Sequence, residues 1–343
     1  MELQNSKYSS LIDNVGKLLA ESKHKLAFQI NTALVTTYWN IGKHIVEFEQ
    51  GGADKAEYGS ELLIQLSKDL SLSYGKGFSK SNLYQMRKFY LTFPIFQTLS
   101  GKSSISETPS HILSWSHYFE ILKADSELEI NFYINQSSNE NWSVRELKRQ
   151  MKSMLFHRLA LSKDKKGIIE LSEKGIQTQK PEDIIKDPYV LEFLNIPQKE
   201  KYLEGELEDK IIENLQHFLL ELGKGFAFVG RQYRMNIGSR HFYADLVFYH
   251  RILKCFVIID LKRGEIDHKD IGQMNLYLNY FKKEENTEGD NVPIGIVLGA
   301  YKDHVLMEYA TENIDNQLFV SKYQLYLPNK EELEKELSNI LEE

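Results

Sequence analysis

Apolar positions recur at helical spacing through the first 150 residues, and strand-like runs dominate only after residue 225. Leu11, Val15, Leu18 and Leu19 fit one helical stripe, and Leu34, Tyr38, Ile41 and Ile45 fit another. Residues 8–50 therefore read as a long helix, ended by Gly51-Gly52. A second helix is expected over 60–72, followed by the turn Tyr74-Gly75-Lys76-Gly77-Phe78. Ser79 is placed to N-cap a third helix, 80–93, which stops before Pro94. Residues 97–110 read as a polar loop. Helical patterns return at 111–122 and 127–135. Ser143 then opens another helix, with Glu146 in the capping-box position.

The stretch 162–188 is polar and charged, with Lys180-Pro181 and Asp187-Pro188 as breakers, and reads as a linker. Tyr189, Val190, Leu191 and Phe193 give it apolar side chains for docking. From Glu204 onwards Leu207, Ile211, Ile212, Leu215, Phe218, Leu219 and Leu222 define an amphipathic helix ended by Gly223. Strands are expected at 226–237, 241–250 and 254–262, then a helix at 267–283. Strands at 294–298 and 319–327 and a closing helix at 331–341 complete the pattern. The first three strands can be antiparallel neighbours, and the helix crossover adds a further strand to a mixed sheet. The chain is thus expected to be α+β: an all-α domain over 1–160, a linker over 161–195 and an α/β domain over 196–343.

Composition narrows the function classes. The 343 residues are 42% hydrophobic and 12% aromatic, enough for two cores. No stretch approaches the ~20 apolar residues that span a bilayer, and residues 1–13 lack a signal-peptide pattern, so a cytoplasmic protein is expected. The single cysteine, Cys255, lies in an apolar strand, which excludes a disulfide framework and a zinc cluster. A net charge of −7 argues against coating nucleic acid with the whole surface. Local patches remain: eight Lys or Arg against two acids over 145–166, and Arg231, Arg234 and Arg240 just before the second strand.

Candidate chemistry lies on two strands. Val257, Ile258 and Ile259 lead into Asp260-Leu261-Lys262, and Asp260 and Lys262 share a strand face. Asp245 interrupts the preceding strand, and a hairpin brings it alongside. Acid-x-Lys also occurs at Glu21, Glu146, Asp164, Glu208 and Asp267, but in helical or loop patterns where i and i+2 share no face. A buried Asp–Lys ion pair is the bland alternative. A charge inside a sheet is costly, however, and two interrupted strands call for a reason. Mg²⁺, or Mn²⁺, suits the set: Asp245 and Asp260 supply carboxylates and Leu261 its backbone carbonyl. Lys262 would orient or polarise the attacking water and stabilise the anionic transition state.

These residues resemble the PD-(D/E)XK nuclease superfamily, with Asp245 fifteen positions before Asp260-Leu261-Lys262. Ala244 stands where a proline is common. The resemblance implies a restriction-endonuclease-like domain with a mixed central sheet flanked by helices. It also marks Glu213 on the preceding helix as an accessory acid. It further marks Gln273-Met274-Asn275-Leu276-Tyr277 as a Gln-x-x-x-Tyr element, whose Gln273 and Tyr277 share a helix face. Over its whole length the chain is similar to the YhcG-type nuclease family. The matching phrases include Gly75-Lys76-Gly77-Phe78-Ser79, Leu113-Ser114-Trp115-Ser116-His117-Tyr118, Trp142-Ser143-Val144-Arg145-Glu146-Leu147 and Lys186-Asp187-Pro188-Tyr189-Val190-Leu191. This family implies a helical N-terminal domain of unsettled role joined to the nuclease domain.

The second and third helices form a helix-turn-helix-like unit. As a DNA reader it would present Lys80, Asn82 and Gln85 to the major groove. As a packed hairpin it would bury Leu83, Met86, Phe89 and Tyr90, and Trp115, His117 and Tyr118 read as a core cluster sooner than a pocket. The expectation is a Mg²⁺-dependent DNA nuclease, with Arg231, Arg234, Arg240 and Arg263 on the substrate and no membrane partner. The rivals are a non-catalytic DNA-binding or regulatory protein on the same fold, and a nuclease of RNA or branched DNA. Dimerisation through the helical half and a protein partner there both stay open.

Overall fold

The computed structural model describes residues 2–51, 56–93, 113–196, 203–301 and 317–342. The expected loop over 97–110 lies outside them. The chain divides into two units, Met1–Leu147 and Lys148–Glu343.

The first unit is helical: α1 (Glu2–Gly51), α2 (Ala56–Tyr74), α3 (Lys80–Thr92), α4 (Trp115–Ile121) and α5 (Glu127–Glu140). Ser79 caps α3 as expected, accepting the Asn82 N–H at 3.3 Å. Its core joins Ile45, Leu63, Leu83 and Met86, with Tyr38, Ile41 and Trp115 packed against them. Trp115 also lies edge-on to Phe89, and Tyr118 is buried, so the aromatic cluster is core.

Helices α1 and α3 approach closely at Gly42, where an added Cβ would lie 2.0 Å from the Met86 carbonyl oxygen. Alanine normally favours a helix interior by about 1 kcal/mol over glycine. Here the clash is with rigid backbone, so Gly42→Ala is expected to destabilise the helical unit by about 1–3 kcal/mol. Denaturant unfolding followed by circular dichroism would check the sign.

The helix α6 (Val144–Lys152) begins in the first unit and ends in the second. The second unit continues with α7 (Leu155–Ala160), α8 (Lys165–Lys174), β1 (Tyr189–Val190), α9 (Glu204–Glu213) and α10 (Leu215–Leu222). Then come β2 (Phe226–Ile237), β3 (Arg240–His250), β4 (Cys255–Glu265), α11 (His268–Tyr280), β5 (Ile294–Tyr301), β6 (Gln317–Gln324) and α12 (Lys330–Glu342). The six strands form one sheet in the order β1-β6-β5-β4-β3-β2. The β2–β3 and β3–β4 pairs are antiparallel, and β4–β5, β5–β6 and β1–β6 are parallel. The crossover between parallel β4 and β5 is α11, as the pattern predicts.

Each face of the sheet is covered. Leu207, Ile211, Phe218 and Leu222 of α9 and α10 pack with Leu246, Phe248, Val257, Ile259 and Leu261. On the other face Ile271, Met274, Tyr277 and Leu278 of α11 pack with Ala244, Val247, Ile258 and Val297. The stretch 161–195, expected as a linker, is built into this unit. It contributes α8 and β1, and Ile184, Tyr189, Leu191 and Leu194 join the α9/α10 core layer. Its prolines and charges hid a strand of two residues that forms only by pairing with distant β6. The single amphipathic helix expected from Glu204 breaks at Asn214 into α9 and α10.

Candidate active site

The β3–β4 ladder runs from His250 and Cys255 to Leu246 and Ile259. One residue further, Asp245 and Asp260 stand opposite each other beyond the paired register. The Leu261 N–H, released from the ladder, donates to Asp245 Oδ2 at 2.8 Å. In an extended strand the carbonyl of a residue emerges on the same edge as its N–H, which places the Leu261 carbonyl beside Asp245. The Lys262 ammonium lies 2.8 Å from Asp260 Oδ2 and 3.6 Å from Asp270 Oδ1. The three residues singled out in the sequence thus meet at one corner of the sheet.

An irregularity aims that corner. Ala244 belongs to the α11 core layer and Leu246 to the α9/α10 layer, although a regular strand would point both the same way. The alternation slips at Asp245. Opposite it, between the pairs Arg231–Leu246 and Tyr233–Ala244, Gln232 has φ 46, in the left-handed region. Such a conformation costs about 1–3 kcal/mol for a residue with a Cβ. The Gln232 amide compensates by donating to Asp245 Oδ1 at 3.1 Å and to Glu208 Oε2 at 2.6 Å.

The acid on the preceding helix is therefore Glu208. Glu213, expected in that place, is exposed at the end of α9. The two are five residues apart, roughly 140° around the helix, so only one can face the sheet corner. Glu208 is 5% exposed, and Arg231 Nε approaches its Oε1 at 3.3 Å. Glu204, one turn earlier, accepts the Arg263 N–H at 3.2 Å. Asp270 is held by the capping box of α11, where its carboxylate accepts the Asp267 N–H at 2.9 Å. Sequence reasoning missed Glu204, Glu208, Gln232 and Asp270. The i,i+4 pair Glu204/Glu208 and the Asp267-x-x-Asp270 box were readable signals, whereas Gln232 had none.

Electrostatics follow from burial. Burial, then the neighbouring Asp245, raise Asp260 to about 7, although Lys262 opposes them. Asp245 is raised by burial against the pull of the Leu261 N–H and Lys262. Glu208 is raised by burial, with Gln232 opposing and Asp245 adding to the rise. Burial opposes the charge on Lys262, but Asp260, Asp270 and Glu204 outweigh it and hold the ammonium above its ordinary range. Lys262 is thus a fixed cation and hydrogen-bond donor. The buried Asp260 Oδ2 is met by the Lys262 ammonium at 2.8 Å, whereas the buried Glu208 Oε1 has only the Arg231 ion pair at 3.3 Å and receives no directed hydrogen bond. Among the described residues no three His, Cys, Asp or Glu side chains form a ready-made metal cage. Two carboxylates and a carbonyl are what an ion that keeps most of its waters requires.

The Gln-x-x-x-Tyr pair sits behind this corner. Gln273 donates to the Tyr277 hydroxyl, which donates to the Tyr243 carbonyl at 2.9 Å. Tyr277 is 1% exposed, so the pair clamps α11 to β3 two residues before Asp245.

The expected nucleic-acid contacts divide. Arg231 is paired with Glu208 and with Asp209 at 3.0 Å. Arg234 lies 3.2 Å from His241 Nε2, and Arg240 is exposed where the β2–β3 hairpin turns at Gly238. Arg263 follows Lys262 directly. In the helical unit Lys80 is exposed at the start of α3. Asn82, read as a base contact, donates to the Gly77 carbonyl and accepts the Trp115 indole N–H at 2.8 Å. Its amide is therefore spent inside the unit. Gln85 is half-buried, with its Oε1 enclosed.

Comparison with known proteins places both halves. The YhcG PDDEXK nuclease domain matches residues 182–338, and the DUF1016 N-terminal domain matches residues 14–158. YhcG of Escherichia coli (strain K12) is 39% identical over 352 residues, covering 96% of this chain and 93% of its own. Among solved structures, a repair endonuclease from Pyrococcus abyssi is 20% identical with TM-score 0.27 over 38% of this chain. EndoMS in complex with double-stranded DNA is 19% identical with TM-score 0.26 over 39% of this chain. The aligned part spans about half the length of each of these two structures, 50% in both cases.

Proposed function

The chain belongs to the YhcG family of PDDEXK nucleases, and on that premise we propose that it hydrolyses phosphodiester bonds of DNA in a Mg²⁺- or Mn²⁺-dependent reaction. The observation that carries this reading is the corner where Asp245, Asp260 and Lys262 meet. The acids outnumber the cations there. Asp260 and Asp270 contact Lys262, Asp245 stands opposite Asp260, Glu208 shares the Gln232 amide with Asp245, and the buried Glu208 Oε1 lacks a directed donor. That surplus fits a divalent cation, held by Asp245, Asp260 and the Leu261 carbonyl, with Glu208 behind Asp245. When bound, the ion would supply Lewis-acid stabilisation of phosphoryl charge and activation of water.

The chain's own groups do the rest. Gln232 ties Asp245 to Glu208 and so fixes one carboxylate against the other. Lys262 keeps its proton and directs it to the oxygen on which charge develops. The Gln273–Tyr277 clamp holds β3 in register with α11. Arg240, exposed beside the β2–β3 turn, and Arg263, next in sequence to Lys262, are the proposed phosphate contacts of this unit.

Incubation of the full chain with plasmid, linear duplex and RNA, with Mg²⁺, Mn²⁺ or EDTA, tests the reading. DNA cleavage that EDTA stops and added metal restores is expected. Cleavage undiminished by EDTA would overturn the metal, and cleavage of RNA alone would overturn the substrate. The pH dependence has a definite sign. Asp260 must ionise to hold a cation, and its pKa is raised to about 7. With metal limiting, the rate is expected to climb up to about tenfold per pH unit below pH 7 and level off above it. A flat profile between pH 5.5 and 7.5 at limiting metal would contradict the assignment.

A further inference from the structure

The helix α1 is 50 residues long, about 75 Å, and its core contacts are concentrated at its C-terminal end. There Ile41 and Ile45 pack with Leu83 and Met86. The apolar stripe does not stop where that packing does. Nine large apolar residues between Tyr8 and Leu34 are 42–63% exposed. Tyr8, Ile12, Val15, Leu19, Leu26 and Ile30 fall within a sector of roughly 60° on one side of the helix. Asp13, Lys17 and Glu21 lie on the opposite side. Together the nine present on the order of 800 Å² of surface, the amount each partner buries in a standard protein interface. A monomer rarely leaves so large a continuous apolar patch to water.

We propose that this stripe is an interface with a second copy of the chain, the two α1 helices lying antiparallel about Leu19. The spacing is self-complementary. Reversal about Leu19 sets Tyr8 level with Ile30, Ile12 level with Leu26 and Leu19 level with itself. A two-fold dimer requires this reciprocity, in which residue i meets j and j meets i. Asp13, Lys17 and Glu21 stay in water, while Lys23, about 20° beyond the edge of the stripe, falls level with Val15 of the second copy at the rim. The chain's own polar stretch at 97–110 is a poor cover, since Leu99 and Ile105 are its only large apolar residues.

Sedimentation of the full chain at tens of micromolar tests this. The wild type is expected near twice 40.0 kDa. A Leu19→Glu/Leu26→Glu double variant is expected near 40.0 kDa with an unchanged circular-dichroism spectrum, because both sites are exposed within the protomer. Under mild oxidation Leu19→Cys should form an inter-chain disulfide and Lys17→Cys should not, the native Cys255 being buried. A monomeric wild type would overturn the proposal. So would a dimer that survives the double variant, or equal cross-linking at positions 17 and 19.

Discussion

Replacing Lys262 with alanine is expected to lower DNA cleavage on the order of 10²–10³-fold, the usual loss when a fixed donor aimed at developing charge is removed. The fold should persist. The Lys262 side chain is 16% exposed, and its removal leaves Asp260 free to take up a proton, which relieves the repulsion. Lys262→Arg should not restore the rate, since a planar fork cannot occupy the place of a point charge wedged between Asp260 and Asp270. Asp260→Asn should be as inactive, yet it should melt at a higher temperature above pH 7. The raised Asp260 pKa means that the folded chain binds its proton more tightly than the unfolded chain does. Stability is therefore lost as pH climbs from about 4 towards 7, and asparagine removes that loss. Two inactive variants that both keep the fold, with Asp260→Asn melting higher than wild type above pH 7, would separate this site from a structural ion pair. Wild-type cleavage rates in both would remove Asp260 and Lys262 from the chemistry.

The largest stability effect is expected at Glu221, away from the Asp245–Asp260–Lys262 corner. Its carboxylate is fully buried, 2.9 Å from Arg158 Nη1 and 3.1 Å from Arg149 Nη2, and it accepts the Val190 N–H at 3.0 Å. Burial opposes its charge, but Arg158, Lys186 and Arg149 outweigh that and hold it down at about 2. Glu221→Gln strands buried guanidinium groups and is expected to cost about 3–5 kcal/mol. The sign with pH is the reverse of Asp260. The Glu221 contribution is complete above the ordinary carboxylate range and disappears as pH falls through about 2. Urea unfolding at pH 7 and pH 3 would show it, and a loss under 1 kcal/mol at pH 7 would refute it.

How far the sequence carried varies by residue. Strands β3, β4 and β5 were legible because each holds an apolar run bounded by turn residues, and β2 because its aromatic and aliphatic residues alternate with polar ones. Asp245, Asp260 and Lys262 stood out because charge interrupts those runs. Sequence alone does not separate Glu208 from Glu213, because which helix face meets the sheet depends on packing and on the break at Asn214. Gln232 was invisible, since a left-handed glutamine opposite Asp245 leaves no trace in periodicity or composition. Asn82 looked like a base reader until Trp115, 33 positions away, claimed its amide. Local pattern fixes what an element is. Contacts made across the chain decide which of its side chains remain available.

The Glu221 cluster also bears on where the nuclease half can be cut free. The family match for that half begins at residue 182, whereas Arg149 and Arg158 fall in the stretch matched by the N-terminal family. A fragment starting at 182 would bury Glu221 with both guanidinium partners amputated. The smallest piece that carries its own counter-ions starts before Arg149, near the unit boundary at Lys148. The catalytic half thus borrows the last residues of its neighbour's family signature, and shuffling the two modules between relatives at residue 182 would separate a carboxylate from the arginines that keep it charged.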